Sequence, residues 1–177
     1  MILRAVQDHI PSDEKEARDR EAILAHLDSG GDPFDRRRYD PGHLTGSAFV
    51  LDAAGRRLVL VHHARLGRWL QPGGHGEPGE SDPLAVAMRE AREETGIEGL
   101  RPHPKVSGLF DLDVHEIPAR KDEPAHLHLD LRFALVAPSG AEPKASAESK
   151  EVLWADLEGG LADPDLARAM AKLRILG

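Results

Sequence analysis

The sequence predicts an α/β fold in which helices sandwich a mixed central sheet. Two observations lead to this prediction. Segments with the alternating or apolar pattern of β-strands lie on both sides of one amphipathic helix, and a second helical segment follows them near the end of the chain. The 177 residues, of which 40% are hydrophobic and 31% charged, are enough for one domain with a substantial core.

The first predicted element is a polar helix over residues 12–28, which begins at Ser12 and ends before the glycine pair at residues 30–31. Its apolar residues form only a weak stripe, so we expect an accessory helix that packs on the main domain or on a partner, such as a second copy in a homodimer. We therefore divide the chain into an N-terminal helix and loop, residues 1–42, and a main domain, residues 43–177.

The strands of the main domain are predicted from alternation and from turn residues at their ends. They cover residues 44–51, 57–63, 105–115, 126–137 and 151–154. A C-terminal helix is predicted over residues 161–176, beginning near Asp163 and Pro164.

The central helix begins at Asp82, a good N-cap, with Pro83 in the first helical position. Successive helical residues are about 100° apart, so Glu93 and Glu94 fall within about 60° of Glu90, on one narrow sector. A neighbouring sector carries the predicted core stripe, which consists of Leu84, Ala87, Met88, Ala91 and Thr95.

Three carboxylates on one sector repel one another, and a divalent cation would remove that repulsion. Arg89 lies one turn before Glu93, where it can orient a carboxylate. On an ordinary surface helix such glutamates are merely solvated. The glycine-rich segment at residues 74–79 and the adjacent arginine favour a cation-binding site instead.

Residues 74–97 resemble the Nudix box, G-x5-E-x7-R-E-U-x-E-E-x-G-U, where U is a bulky aliphatic residue. The matching positions are Gly74, Glu80, Arg89, Glu90, Ala91, Glu93, Glu94, Gly96 and Ile97. One extra residue separates Glu80 from Arg89. It falls at residues 81–83, before the helix, so the geometry of the helical glutamates should be intact. The strand pattern extends the resemblance loosely over residues 44–154.

The resemblance implies a Nudix-like α/β/α sandwich and a metal-dependent hydrolase that cleaves the pyrophosphate link of a nucleoside diphosphate derivative. It implies Mg²⁺ or Mn²⁺, held by Glu90, Glu93 and Glu94 with the carbonyl of Gly74. Glu93, Glu94 and Arg89 are the expected catalytic residues, with Glu93 as the first choice for activating water. Family members often use a glutamate from a distant loop instead, for which Glu148 and Glu151 are the candidates.

Three residues just before the glycine-rich segment are candidates for substrate binding. Arg65 and Arg68 could grip phosphate, and Trp69 could stack on a flat group such as a base. Core packing explains Trp69 equally well.

A second group of candidates lies on the predicted strand 126–137. His126, His128 and Asp130 point to one face of this strand, and Asp113 and His115 alternate in the same way on the preceding strand. These residues could form a polar floor for substrate or a second metal site. The plainer alternative is a half-exposed sheet face with its polar residues outward.

The composition limits the partners. A formal net charge of −8 argues against general nucleic-acid binding, and the absence of cysteine excludes disulfides and thiolate catalysis. No apolar run approaches the roughly 18 residues of a membrane span, so we expect a cytoplasmic enzyme with a small phosphoanhydride substrate.

The substrate itself is not predicted. Residues 112–115 match neither the ADP-ribose nor the dinucleoside-polyphosphate pattern, which leaves a nucleoside triphosphate, a nucleotide sugar and a capped RNA end open. Two rival functions also remain. One is a catalytically silent nucleotide-sensing regulator on the same fold, and the other is a metal protein centred on His126, His128 and Asp130.

Overall fold

The computed structural model describes residues 1–63, 67–145, 149–159 and 164–176. The helices are α1 (Ile2–Asp8), α2 (Glu14–Asp28), α3 (Pro83–Thr95) and α4 (Ala167–Leu176), with a 3-10 turn, Pro164–Leu166, before α4. The strands are β1 (Gly42–Leu51), β2 (Arg57–His63), β3 (Arg68–Leu70), β4 (Gly73–His75), β5 (Arg101–Pro102), β6 (Asp111–Ile117), β7 (His126–Val136) and β8 (Ser149–Asp156). No helix in these ranges is both long and apolar enough to cross a bilayer.

The strands form one mixed sheet with the central order β3-β2-β1-β7-β5. Its longest ladder is parallel and joins β1 to β7 from Gly42↔Leu127 to Leu51↔Val136. The remaining pairs are antiparallel, with β4 on β1, β6 on β7 and β8 on β2. The predicted α/β class with a mixed sheet is therefore confirmed.

Several predicted boundaries differ from the structure. The strand expected from residue 105 begins at Asp111, because Val106 N–H donates to the His103 carbonyl in a turn and Gly108 has a φ of 85°. Strands β3 and β4 are only three residues long and show no alternation in the sequence. The last strand extends beyond residues 151–154 at both ends. Residues 161–163, where the final helix was expected to begin, lie outside the described ranges.

Helix α3 begins as predicted, with the Asp82 side chain accepting a hydrogen bond from Leu84 N–H. It packs on β1 at Gly46, where an ideal Cβ would lie 2.9 Å from the Pro83 carbonyl oxygen, so a glycine is needed for the close approach. Val86 is fully buried there, although it shares the sector of the glutamates. The first half of that sector is covered by β1, and only the second half is available for a site.

The N-terminal helices cover the edge of the sheet at β6. Helix α2 is capped by Asp13, which accepts from Glu16 N–H, and not by Ser12, whose hydroxyl donates to the Glu16 carboxylate instead. The sequence did not predict α1. The buried Glu16 carboxylate also accepts the backbone N–H of Leu112 in β6, at 3.2 Å. This contact satisfies a donor on a sheet edge that would otherwise be open.

The face of the sheet opposite α3 carries a buried ionic network beside a smaller apolar cluster. The guanidinium of Arg132 contacts the carboxylates of Asp130 at 2.9 Å, Asp113 at 2.9 Å and Asp111 at 3.3 Å. From α4, Arg168 and Lys172 also reach Asp111. Ion pairs therefore help to hold the C-terminal helix on the sheet, next to the apolar contacts that include Phe49, Leu60, Met170 and Leu173.

We predict that Arg132→Met strongly destabilises the fold. The substitution leaves the surrounding carboxylates buried without their shared cation, which costs about 3–5 kcal/mol when one partner of a buried ion pair is removed. The measurement is the free energy of unfolding from a urea titration. As a control, Arg37→Met removes an arginine whose side chain is 82% exposed and should change that free energy by less than about 0.5 kcal/mol. Equal stabilities of the two variants would contradict the prediction.

Candidate functional site

The glycine-rich segment is held beside α3 by a short antiparallel pairing of β4 with the central strand β1. Strand β4 pairs with β1 through Thr45↔His75, Gly46↔Gly74 and Ser47↔Gly73. Because β1 also carries α3, this pairing fixes the loop and the helix on one support. The site is thus built on a central strand and a helix, which position side chains more precisely than free loops do.

Gly74 leaves room for the Glu90 carboxylate. An ideal Cβ on Gly74 would lie 2.6 Å from the Glu90 carboxyl carbon and 2.7 Å from each of its oxygens, so any side chain here would displace the carboxylate. One turn further along the helix, Glu94 Oε2 accepts a hydrogen bond from Gly73 N–H at 3.0 Å. Two helical carboxylates therefore lie directly against the backbone of β4.

Arg89 ties the loop to the helix. Its Nε and Nη2 bind both oxygens of Glu80, at 3.0 and 2.9 Å, so the extra residue at 81–83 does not separate this pair. Its Nη1 donates to Glu90 at 2.9 Å and to Glu93 at 3.1 Å, and Nη2 also donates to the carbonyl oxygen of His75 at 2.8 Å. The hydrogen bonds to Glu80 raise the pKa of Arg89 above its usual value, so it stays a cation.

The charge at this site is unbalanced. Three carboxylates, those of Glu80, Glu90 and Glu93, converge on the single guanidinium of Arg89, so the group carries a net charge of −2. Glu93 is the most open of the three, with a side chain 50% exposed against 16% for Glu90. A divalent cation would offset this excess negative charge and would find suitable oxygen ligands here. Mg²⁺ commonly keeps several waters at such sites.

Three histidines from three strands meet beside β4. His43 lies on β1, His75 on β4 and His128 on β7, and one ring nitrogen of each lies within 4.8 Å of the other two. Burial lowers the pKa of His75 to about 4 and that of His128 to about 2, and burial also lowers the pKa of His43. All three rings are therefore neutral at neutral pH.

The face predicted for His126, His128 and Asp130 is the face that the structure shows. Asp113 stands opposite Asp130, and His115 opposite His128, in the antiparallel ladder of β6 with β7. The Asp130 carboxylate, however, accepts hydrogen bonds from Thr45, Ser47 and Arg132 and is buried among them. Its observed contacts are those of a structural group.

The His126 side chain is likewise engaged in contacts outside the trio of His126, His128 and Asp130. Its Nδ1 lies 2.8 Å from the Pro124 carbonyl oxygen, and its ring packs on those of His43 and Tyr39. A metal centre made of His126, His128 and Asp130 would have to break these contacts. The geometry favours a different trio, in which His43 and His75 join His128.

The candidates before the loop are only partly described. Arg65 lies outside the described residues. Arg68 forms an ion pair with Asp165, and the ring of Trp69 packs on His62 with the ring centres 5.0 Å apart. Both residues lie on β3, which β2 separates from β1. Their part in substrate binding stays a prediction, and the observed contacts of Trp69 are packing contacts.

Of the two glutamates proposed as a general base from a distant loop, the structure describes only one. Glu148 lies outside the described residues, and Glu151 is exposed on β8. His43 was not predicted as a site residue, because nothing close to it in the sequence marks it as a partner of His75 or His128. The two histidines are brought together by the parallel pairing of β1 with β7, which places His43 directly opposite His128. Predicting His43 would have required predicting that pairing.

Comparisons with known proteins agree with this architecture. A family model described as the NUDIX domain matches residues 42–173. A Nudix-family hydrolase from Clostridium perfringens superposes with a TM-score of 0.56 and 24% identity, over 76% of this chain and 98% of that chain. An Ap4A hydrolase from C. elegans, solved as a binary complex, superposes with a TM-score of 0.52 and 22% identity, over 74% of this chain and 92% of that chain. At these identities the superpositions show the fold alone.

The match to a curated relative is short but closer. The asymmetrical bis(5'-nucleosyl)-tetraphosphatase of Mus musculus is 55% identical over 38 residues, which are 22% of this chain and 22% of the relative. The chain thus matches about a fifth of that relative's length. The family model covers most of the chain, including the glycine-rich segment and the three helical glutamates, and on that match this chain belongs to the Nudix family.

Proposed function

We propose that this protein is a Mg²⁺- or Mn²⁺-dependent hydrolase that cleaves the pyrophosphate link of a nucleoside diphosphate derivative. The observation that carries the proposal is the space that Gly74 leaves for Glu90, beside Arg89 and the other helical glutamates. A purely solvated acidic face needs no such space. Membership in the Nudix family and the short match to the mouse tetraphosphatase support the same reaction class.

The donor set at the site fits the expected cation. Glu90, Glu93 and Glu94 offer carboxylate oxygens, and the Gly74 carbonyl is the proposed fourth protein donor, all of them hard ligands suited to Mg²⁺ or Mn²⁺. When bound, such an ion neutralises pyrophosphate oxygens and lowers the pKa of a coordinated water. The negative charge left around Arg89 supplies the attraction for it.

The residues around the cation site have separate proposed roles in the reaction. Glu93 is the proposed general base, because its half-exposed carboxylate can face both solvent and substrate. Arg89 is a positioning residue, since its donors are already shared among three glutamates and the backbone of β4. The substrate phosphates would be bound by the cation and by arginines outside this cluster. Arg65 and Arg68 remain the proposed candidates for those arginines.

The proposal is tested with a panel of nucleoside diphosphate derivatives. Nucleoside triphosphates, nucleotide sugars, ADP-ribose, dinucleoside polyphosphates and a capped RNA 5′ end are incubated with the protein and Mg²⁺ or Mn²⁺, and the phosphate products are measured. We expect turnover that depends on the cation with at least one small substrate. Tight nucleotide binding without turnover on the whole panel would instead identify the silent sensor.

We predict that Glu93→Gln lowers turnover by about 10²–10⁴-fold, the usual contribution of a general base. Glu94→Gln should also lower turnover by orders of magnitude, since it removes a charged ligand. Both variants should keep the wild-type unfolding midpoint. Glu98→Gln, at an exposed position just past the same helix, serves as the matched control and should retain wild-type turnover. Wild-type rates in the first two variants would contradict the assignment.

We predict that Gly74→Ala lowers both turnover and Mn²⁺ affinity, because the new methyl group would lie 2.6 Å from the Glu90 carboxyl carbon. Mn²⁺ binding is followed by electron paramagnetic resonance. If the methyl group acts only by displacing Glu90, then adding Gly74→Ala to a Glu90→Ala variant should lower activity little further. The two substitutions would then show strong coupling in a double-mutant cycle. Additive losses would show that Gly74 acts independently of Glu90.

A further inference from the structure

We propose that His43, His75 and His128 form a second metal site, which takes one transition-metal ion of the Zn²⁺ type. The three residues come from three neighbouring strands, β1, β4 and β7. The site is distinct from the carboxylate site in both position and chemistry. It does not depend on the proposed hydrolytic function, because its donors are nitrogen atoms on the opposite side of β1 from α3.

The distances already approach those of a metal site. Two ligands held about 2.05 Å from a tetrahedral ion are about 3.3 Å apart. His75 Nε2 and His128 Nε2 are 3.2 Å apart, and the candidate ligand atoms of the three residues all lie within 4.8 Å of one another. An ion would replace the hydrogen bond between His75 and His128 and would require all three ligand atoms to lie closer together than 4.8 Å. The three ring centres are 4.8 to 5.1 Å apart.

The strongest sign of a missing ligand is the His43 ring. Its Nδ1 lies 3.2 Å from the carbonyl oxygen of Arg38, and since a carbonyl only accepts, Nδ1 carries the hydrogen. Nε2 therefore keeps its lone pair. His43 is only 1% exposed, and within the described residues its Nε2 has no hydrogen-bond partner. A buried acceptor without a donor calls for a partner, and a cation supplies one.

The His43 ring has the outer hydrogen bond that is typical of a metal-ligating histidine. A ligating histidine usually donates its other ring N–H to a carbonyl or carboxylate, which fixes the tautomer and the ring orientation. The Arg38 carbonyl does this for His43. His115, whose Nδ1 is hydrogen-bonded to Asp113, borders the trio through its ring contact with His128 and contributes no ligand atom to it.

The donor type selects the ion. Three neutral imidazoles suit Zn²⁺, Co²⁺, Ni²⁺ or Cu²⁺ and suit Mg²⁺ poorly, which prefers oxygen ligands. His75 and His128 are only partly buried, so a water molecule can occupy the fourth position. An ion bound here would join β4 to β1 and β7 and so fix the glycine-rich loop from the side opposite Glu90.

The test begins with the wild-type protein, stripped of metal by a chelator and titrated with Zn²⁺ against a chromophoric competitor. We expect one tight site per chain, a higher unfolding midpoint with Zn²⁺, and a visible ligand-field spectrum on replacement by Co²⁺. His75→Gln and His128→Gln should each weaken Zn²⁺ binding at least tenfold. Glu93→Gln should leave it unchanged, since the carboxylate site is separate.

His115→Gln is the matched control, because it removes an imidazole that borders His128 but offers no ligand atom to the trio. It should keep the full Zn²⁺ affinity. Failure of the wild-type protein to bind Zn²⁺ more tightly than the competitor would overturn the proposal, and the three rings would then be packing partners or a floor for substrate. The same conclusion would follow if the His75 and His128 variants, checked for folding by circular dichroism, bound Zn²⁺ as the wild type does.

Discussion

The geometry of this protein's acidic site depends on the guanidinium of Arg89. Only an arginine carries five donors in a fixed planar fork, and here they bind Glu80, Glu90, Glu93 and the His75 carbonyl at once. A lysine could neutralise charge but could not hold these groups at fixed relative positions. The glycines at positions 46 and 74 complete the constraint, because they let α3 approach β1 and let a carboxylate approach β4. Side-chain chemistry and backbone proximity thus define the site together.

The two faces of the sheet are stabilised by different forces. Apolar packing dominates beneath α3, where Val86, Ala87 and Ala91 are fully buried. On the other face, alternating charged residues of β6 and β7 form a network that the cationic side chains of α4 complete. Such buried pairs contribute little net stability compared with well-packed apolar residues, but each depends strongly on its partners. The network therefore fixes where the terminal helices dock more than it adds to the overall free energy of folding.

Local signals in the sequence predicted local structure well. Asp82 and Pro83 marked the start of α3, and the helical period placed three glutamates on one sector, because both depend on residues close in sequence. The histidine trio could not be found in this way, since His43 and His128 are brought together by a parallel ladder between distant strands. The structural role of Asp130 was partly readable, because Arg132 lies two residues further on the same face of β7. The cap of α2 was missed because Ser12 and Asp13 are both good caps, and only the contacts of Glu16 distinguish them.

The contacts of Glu16 bear on how short this protein can be made. The family match begins at residue 42, which suggests a natural point for trimming the chain before expression. A shortened protein of that kind would lose the carboxylate that accepts the Leu112 amide and pairs with Lys172. It would expose the margin of β6 to other chains and leave Lys172 with only one of its two carboxylate partners, Asp111. A cut at residue 42 would therefore remove contacts that the segment matched by the family model makes with α2 in this structure.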